Sequence, residues 1–595
     1  MNRIRFRLLA CIIGVAGLAG CGVTKSYEET FDPFEDCGQY TMPHQKYGTA
    51  YWRVKPSTSE GIQRLYDDLL RESLVGLTAL AVNEGRGETM VWMEQAGAVY
   101  ERLRSELPMR DLGLISVEEL LDKPEIRQVV AGYVLYDSNN QESINAATVA
   151  AHVYHGLLVN VSMRDWIERA GYKLLYDASH STLADAWAEH GDQCARNALV
   201  LMPTLTSNQR STAIAGRMMM VNLNKVMGDP SQGDNKELVC EILDGLDPLS
   251  PVFGWEQGVG ENAFVGLVSS SGNLMIPYDW TVNTPLLWAE YESRMCGRVR
   301  VTDPTRISYG DARHYMSFYM SDGDNVQWMF NGFDNETYFA SPRAAETKMT
   351  FGFPVMNLSM ISPGQYAWLL GRQHPDVALM ESLGGGYYYA DQFGETKDRA
   401  ALLDSIAVKV GIHMRQHRNK VLALVCMDVD SDEAKRAYEA YVRNNDELIG
   451  IVVIQYTPYA GGNGEIFWFE NARGLHIPVL TVRYSIWNYG PGTNGELEGT
   501  PTYIASKYNE LARNPEPTFS VTSVHAWSTF TDTNGSSDPT AENEPGGSVR
   551  GVESAVQCMK RLDPSIRVVN VEELIWQLRM HAYPEETRRL LEQYK

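Results

Sequence analysis

Carboxylates, amides and aromatic rings recur in this chain at the ends of apolar runs, and that combination limits the chemistry the residues could do. Ser321 is followed by Asp322-Gly323-Asp324-Asn325 and then by Gln327 and Trp328. Further on come Tyr387-Tyr388-Tyr389 with Asp391, Asp428-Val429-Asp430, Gln455-Tyr456, Arg483-Tyr484 with Trp487, and His525 with Trp527. Asp322, Asp324 and Asp428 are the candidate catalytic groups, because a carboxyl can carry a proton to or from a reacting bond. Asn325, Gln327, Tyr387, Tyr389, Asp391, Tyr456, Arg483, His525 and Trp527 are the candidate substrate-binding residues. Amides can bind hydroxyls, and ring faces can stack on the C–H surfaces of a polyhydroxylated substrate. Each residue also has a plainer reading as a cap, a turn or a core aromatic. Asp322 and Asp324 are two apart and would share a side if extended, whereas an Asp-Gly turn at Gly323 could splay them. Asp428 and Asp430 could merely cap the helix that follows.

Metal and cofactor chemistry finds less support. Asp428, Asp430 and Asp432 with Glu439 in the twelfth place mimic a calcium loop, but Glu433 stands where that loop needs glycine. His413 and His417 are four apart on a predicted helix, a ligand spacing. That helix leads toward the wrong face of the fold, so the pair reads as part of a solvated face. Cys37, Cys194, Cys240, Cys296, Cys426 and Cys558 form no C-x-x-C pair. Cys426 reads as core; the others could pair in an oxidising compartment, with spacing leaving the partners open. No glycine-rich nucleotide fingerprint occurs. No metal and no cofactor is predicted.

The elements that must position these residues alternate strand with helix. Strand-like runs fall at His314 to Ser321, Lys348 to Met356, Gly385 to Ala390, Lys420 to Met427, Leu448 to Tyr456, Ile477 to Tyr484, Phe519 to Trp527 and Ile566 to Asn570. Helices such as Lys397 to His417 and Asp432 to Arg443 fall between them. The pattern predicts an α/β fold with a C-terminal (β/α)8-like barrel, possible distortion included, over 305–595, where βα loops carry the chemistry. An open doubly wound sheet is the competing architecture. Before it, small α/β accessory domains are predicted over 48–124, 125–196 and 197–304. Within them Ile62 to Leu80 reads as a helix leading to a strand at Glu88 to Met93. Val129 to Tyr136, Ser143 to Tyr154 and Gly156 to Val161 read as a βαβ unit. Phe264 to Ser269 reads as a strand, with a turn at Ser271-Gly272-Asn273.

The start of the chain reads as an address rather than structure. Arg3, Arg5 and Arg7 precede an apolar run from Leu8 to Ala19 that is too short to span a bilayer, and Leu18-Ala19-Gly20-Cys21 resembles a lipobox. Residues 1–20 are therefore predicted to be a lipoprotein signal peptide, Cys21 the acylated residue, and 21–47 a polar tether. This implies a bacterial cell-envelope protein held to a membrane by lipid, at the periplasmic or the surface face of the outer membrane. A net charge of −23 over 595 residues argues against nucleic acid as a partner.

Gly384-Gly385-Gly386-Tyr387-Tyr388-Tyr389 resembles the signature of the GxGYxYP putative glycoside hydrolase family, with Ala390 where the family has proline. Asp322-Gly323-Asp324-Asn325 with Gln327-Trp328 is similar to that family's barrel domain. Phe253-Gly254-Trp255, Val268 to Gly272 and Asn283 resemble its accessory domains. The resemblance implies hydrolysis of an extracellular or periplasmic glycan by rim carboxylates. A carboxylate pair at the fourth and seventh strand ends, common in retaining barrel glycosidases, is not matched, since Ser520 to Phe530 holds no acid. Retaining and inverting stereochemistry both stay open. The competing readings are a non-catalytic glycan-binding lipoprotein using the same aromatics, and a metal-dependent deacetylase, which would want histidines that Phe353 to Gly364 lacks.

Overall fold

The computed structural model describes residues 43–256, 258–289, 297–487, 495–530 and 549–594. The signal peptide, Cys21 and most of the tether lie outside the described residues. Among those described, no helix is long and apolar enough to cross a membrane.

Three small parallel sheets come first. β1 (Ala50–Val54), β2 (Thr89–Met93) and β3 (Arg110–Ile115) pair in the order β2-β1-β3. The helix Gly61–Asn83 runs between β1 and β2; its C-terminal two-thirds is buried on all sides, as an apolar sequence with few charges after Glu72 requires. β4 (Gly132–Tyr136), β5 (Gly156–Asn160) and β6 (Leu174–Asp177) form the second sheet, with the helix Glu142–Tyr154 crossing from β4 to β5. β7 (Leu199–Leu201), β8 (Met219–Val221), β9 (Pro251–Gly254) and β10 (Leu274–Pro277) form the third, in the order β10-β9-β7-β8. Here one expectation is overturned. Phe264 to Ser269 is not a strand but the body of a helix, Glu261–Ser270, between β9 and β10. Its buried residues Phe264, Val265, Val268 and Ser269 follow the helical period, which the β-branched composition masks.

The C-terminal region is a closed parallel barrel. β11 (His314–Met320), β12 (Thr350–Phe353), β13 (Ala378–Ser382), β14 (Val421–Cys426), β15 (Gly450–Gln455), the hairpin strand β16 (Ile466–Glu470), β17 (His476–Ile486), the short β18 (Glu498–Gly499) and β19 (Thr518–Val524) succeed one another. Seven of them, β11 to β15 with β17 and β19, close the ring, because β11 pairs with β19 on one side and with β12 on the other. After the two-residue hairpin strands β20 (Thr529–Phe530) and β21 (Val549–Arg550), the last strand is β22 (Ile566–Val568). It pairs only with His314 to Met316 of β11, on the edge that β12 takes higher up at Tyr319 and Met320. The eighth strand is thus a wedge at the N-terminal end, and the barrel departs from a regular (β/α)8. All seven residues of β11 are buried, the near-continuous burial that a parallel strand covered on both faces shows.

The third barrel strand also lies elsewhere than expected. It is Ala378–Ser382, and Gly385 to Ala390 is the loop that follows it. Leu383, Gly384 and Gly385 have φ of 57°, 62° and 92°. Consecutive left-handed residues cannot extend a strand, and two of the three are glycines, which adopt that region without a Cβ penalty.

Candidate active site

At the carboxyl ends of the barrel strands lies a cavity of about 640 Å3. Tyr319, Val425 and Ile454 reach it from β11, β14 and β15, and the loops beyond the strands contribute Asp322, Asp324, Asn325, Gln327, Tyr387, Tyr456, Tyr459, Trp487, His525 and Trp527. The third small unit contributes Trp255, Glu261, Asp279 and Trp280.

The turn after β11 is set by close packing. A Cβ on Gly323 would fall 1.9 Å from the carbonyl oxygen of Gly352 on β12, so only glycine lets the turn pass. Asp322 takes φ 65°, a left-handed conformation that Asp tolerates better than most residues. The Asn325 backbone N–H and side-chain Nδ2 both donate to the Asp322 carbonyl, at 3.1 and 3.2 Å. The segment is an Asp-Gly turn, and its two carboxyls nevertheless line the same cavity. Their surroundings differ. Asp322 accepts hydrogen bonds from Trp527 Nε1 at 2.9 Å, from the Ala526 N–H at 3.4 Å and from Ser321 Oγ. Burial, the Asp322 charge and Glu261 together push the Asp324 carboxyl well above the usual range. Burial also pulls His525 down, against the opposing charge of Asp322.

The glycine-tyrosine loop joins the barrel to the third unit. Gly386 packs under β10, where a Cβ would sit 2.7 Å from Leu274 Cβ. The Tyr387 N–H donates to the Met275 carbonyl of β10 at 2.7 Å, and the Tyr389 N–H to Ser269 Oγ at 3.0 Å. The Tyr387 hydroxyl donates to Glu261 Oε1, and its ring stacks on Trp255 at 5.9 Å. Burial raises Glu261 above the ordinary carboxyl range; the Tyr387 hydrogen bond opposes that rise and the Asp322 charge adds to it. Trp487 stacks on His525 at 4.3 Å, while Trp280 and Trp527 are 54% and 43% exposed, so wet ring faces are available.

Tyr389, Asp391, Asp428 and Arg483 do not line the cavity. Tyr389 packs between Tyr387 and Tyr456. Asp391 accepts the backbone N–H groups of Met427 and Asp428 at 2.9 and 2.8 Å, tying the loop to the end of β14. Asp428 is exposed and accepts the Asp430 N–H at 3.0 Å in the turn before helix Asp432–Arg443, whose N-cap is Ser431. Arg483 binds Ser520 Oγ and the Gly464 carbonyl. His413 and His417 do not form a solvated face: both are 1% exposed, and Tyr366 hydrogen-bonds His417 Nδ1 at 2.8 Å. Among the described residues no group of three or more His, Cys, Asp or Glu side chains is arranged to hold a metal ion.

The model of the GxGYxYP putative glycoside hydrolase C-terminal domain matches residues 312–536, and that of the GxGYxYP third domain matches 198–287. The chain belongs to the GxGYxYP family. No curated protein matches it. Among solved structures it is similar to a putative hydrolase from Bacteroides thetaiotaomicron VPI-5482, with a TM-score of 0.72 and 17% identity. The likeness covers 93% of this chain and 99% of that one, and at this identity it speaks to the fold. The geometry accounts for the GxGYxYP motif in this chain: Gly384 has positive φ, Gly386 sits under β10, Tyr387 bonds Glu261, and Tyr389 bridges to Val425 of β14. Ala390 replaces the motif's proline and donates its N–H to the Val425 carbonyl at 2.8 Å, a bond that proline could not make.

Trp255, Glu261, Asp279, Trp280 and Tyr459 were not among the sequence candidates. The first four come from a unit distant in sequence, and Glu261 precedes a segment that reads as a strand, so no spacing signal connects them with the rim. Tyr459 lies past Tyr456 in the same loop, within reach of a wider window.

Proposed function

We propose that this protein is a glycoside hydrolase acting on an extracytoplasmic glycan, with the Asp322–Asp324 turn as its catalytic carboxyl pair. The observation that carries the reading is the contrast between these neighbours in one aromatic-walled cavity. Donors converge on Asp322, as suits a charged carboxylate, while burial and that charge favour a proton on Asp324. Two carboxyls that share one charge in this way can take the proton of an attacking water, which is the base half of glycosidic cleavage. The rings of Trp255, Trp280, Trp487 and Trp527 offer stacking faces for sugar rings. The described lining holds no Lys or Arg to pair with an anionic sugar, and the charge on the Asp322–Asp324 pair would repel uronates and sulfated chains, which favours a neutral glycan as substrate.

The second reading is glycan binding without turnover, and the engagement of both Asp322 oxygens favours it, since those bonds also serve as a brace between β11 and β19. Incubating the purified protein with a panel of neutral and anionic polysaccharides, with product analysis, separates the two. Release of oligosaccharides from a neutral member supports hydrolysis; binding with no release from any member supports the second reading. We further propose that lipid on Cys21 holds the protein at the cell envelope. Cys21→Ala should shift it from the membrane fraction to the soluble one, and retention in membranes would rule the anchor out.

A further inference from the structure

Two carboxyls on one turn approach a substrate from one side. Asp322 and Asp324 both leave the end of β11, whereas cleavage of a glycosidic bond uses one carboxyl near the leaving oxygen and another near the anomeric carbon. Glu261 is the carboxyl that enters the cavity from a different wall. It begins the helix Glu261–Ser270 of the third unit, lines the same cavity, and is bonded by the signature tyrosine of the barrel.

We propose that Glu261 is the catalytic proton donor, so that the active site is assembled from two units, and that Tyr387 is its positioning residue. The inference rests on the hydrolase reading. In the step, the bond between the anomeric carbon and the bridging oxygen breaks, its electron pair stays on the oxygen, and that oxygen takes the Glu261 proton. A water adds to the anomeric carbon and gives its proton to the Asp322–Asp324 pair, which carries one charge. Glu261 is left as a carboxylate and the pair as a neutral acid, and solvent restores both.

The surroundings of Glu261 suit a proton donor. Tyr387, Tyr389 and Tyr459 face it with neutral hydroxyls, and Asp322 and Asp324 face it with at least one charge. No cationic side chain lines the cavity among the described residues. Burial and like charge both favour the protonated acid, and the Tyr387 hydrogen bond restrains the rise while fixing the carboxyl's direction. The same contact explains why the tyrosine loop is stitched to β10 at Met275: a shift of the third unit would carry the acid away from the Asp322–Asp324 turn.

The test uses the full chain with two probes for each neutral hexose, an oligosaccharide, whose sugar hydroxyl must be protonated to leave, and a 2,4-dinitrophenyl glycoside. The dinitrophenolate leaves without protonation, so an acid is needed only for the first probe. Glu261→Gln should lose roughly 100-fold or more in turnover on the first and stay within a few-fold of wild type on the second. Asp322→Asn should be slow on both. Tyr387→Phe should keep measurable turnover but move the alkaline limb of its pH–rate profile upward, since losing a donor to the charged form raises the acid's pKa. A purely structural tyrosine would leave that limb in place. Matched thermal melts show that each variant folds. Wild-type-like turnover by Glu261→Gln on the first probe, or equal losses on both probes, overturns the proposal and leaves the hydrolase reading standing. Inactivity of the wild type on every probe removes both.

Discussion

Two Asp-x-Asp segments stand at the ends of parallel strands of one barrel, and they have different fates. Asp322-Gly323-Asp324 leaves β11 through a tight turn against Gly352 and puts both carboxyls on the cavity. Asp428-Val429-Asp430 leaves β14 outward: Asp428 caps a turn at the surface, Asp430 pairs with Lys435 at 2.6 Å, and Val429 is buried. Residue type and place in the topology are the same. What differs is what stands inside the strand end. Above β14 the inner lane is filled by the glycine-tyrosine loop, through the Tyr389–Val425 bridge and the Asp391 bonds to Met427 and Asp428, so the chain after β14 has no way in. A carboxylate at a barrel rim is thus a candidate only where the neighbouring loop leaves it room.

Of the substitutions that would separate the two segments, that of Asp322 should give the strongest response. Asp322→Asn should lower turnover by roughly 100-fold or more with folding intact; near-normal turnover would make the first turn as structural as the second. Next, Gly323→Ala should cost about 1–3 kcal/mol, because its Cβ meets backbone that cannot rotate away, and a denaturant melt matching wild type would show that the turn is not fixed by Gly352. Trp280→Ala should weaken glycan binding about tenfold, with KM rising and kcat little changed, as a stacking face acts on ground and transition states alike. Calorimetry reads this directly, and a loss confined to kcat would count against a binding role.

A smaller effect sharpens the role of burial. Glu381 of β13 is 1% exposed, accepts the Met356 N–H at 3.0 Å, and is pushed by burial from an ordinary 4.5 up to about 8. Because the folded value is raised, its stabilising contribution is complete below about pH 4.5 and is lost as pH rises through about 8. The gap in melting temperature between Glu381→Gln and wild type should therefore move in favour of the variant between pH 5 and pH 8; a gap constant with pH would contradict a buried neutral acid. The smallest effect belongs to Asp428→Asn, which should leave turnover unchanged. A loss matching that of Asp322→Asn would place the second segment in the catalytic machinery after all.

Much of the barrel is legible in the sequence, for physical reasons. β14 and β15 are buried along nearly their whole length and read as apolar runs, β11, β17 and β19 read as strands through their aromatic and β-branched residues, and helix Asp432–Arg443 has a polar face that marks its period. β13 fails that test, because Ala378–Ser382 is five residues long and ends in Glu381 and Ser382, while the aromatic Tyr387 to Tyr389 mimics a strand beside it. His413 and His417 look like solvated residues by type, yet helix packing buries both.

Hydrophobic period and turn chemistry are local, so the order of residues already shows which strand ends carry carboxyls and aromatics, and its glycines mark where backbone must bend or pass closely. Tertiary structure alone decided which of those groups share a cavity. Gly386 under Leu274, the Tyr387 contact with Glu261 and the wedge of β22 beside β11 join residues far apart in the chain. Such contacts depend on the packing of one unit against another, and no spacing along the chain encodes them.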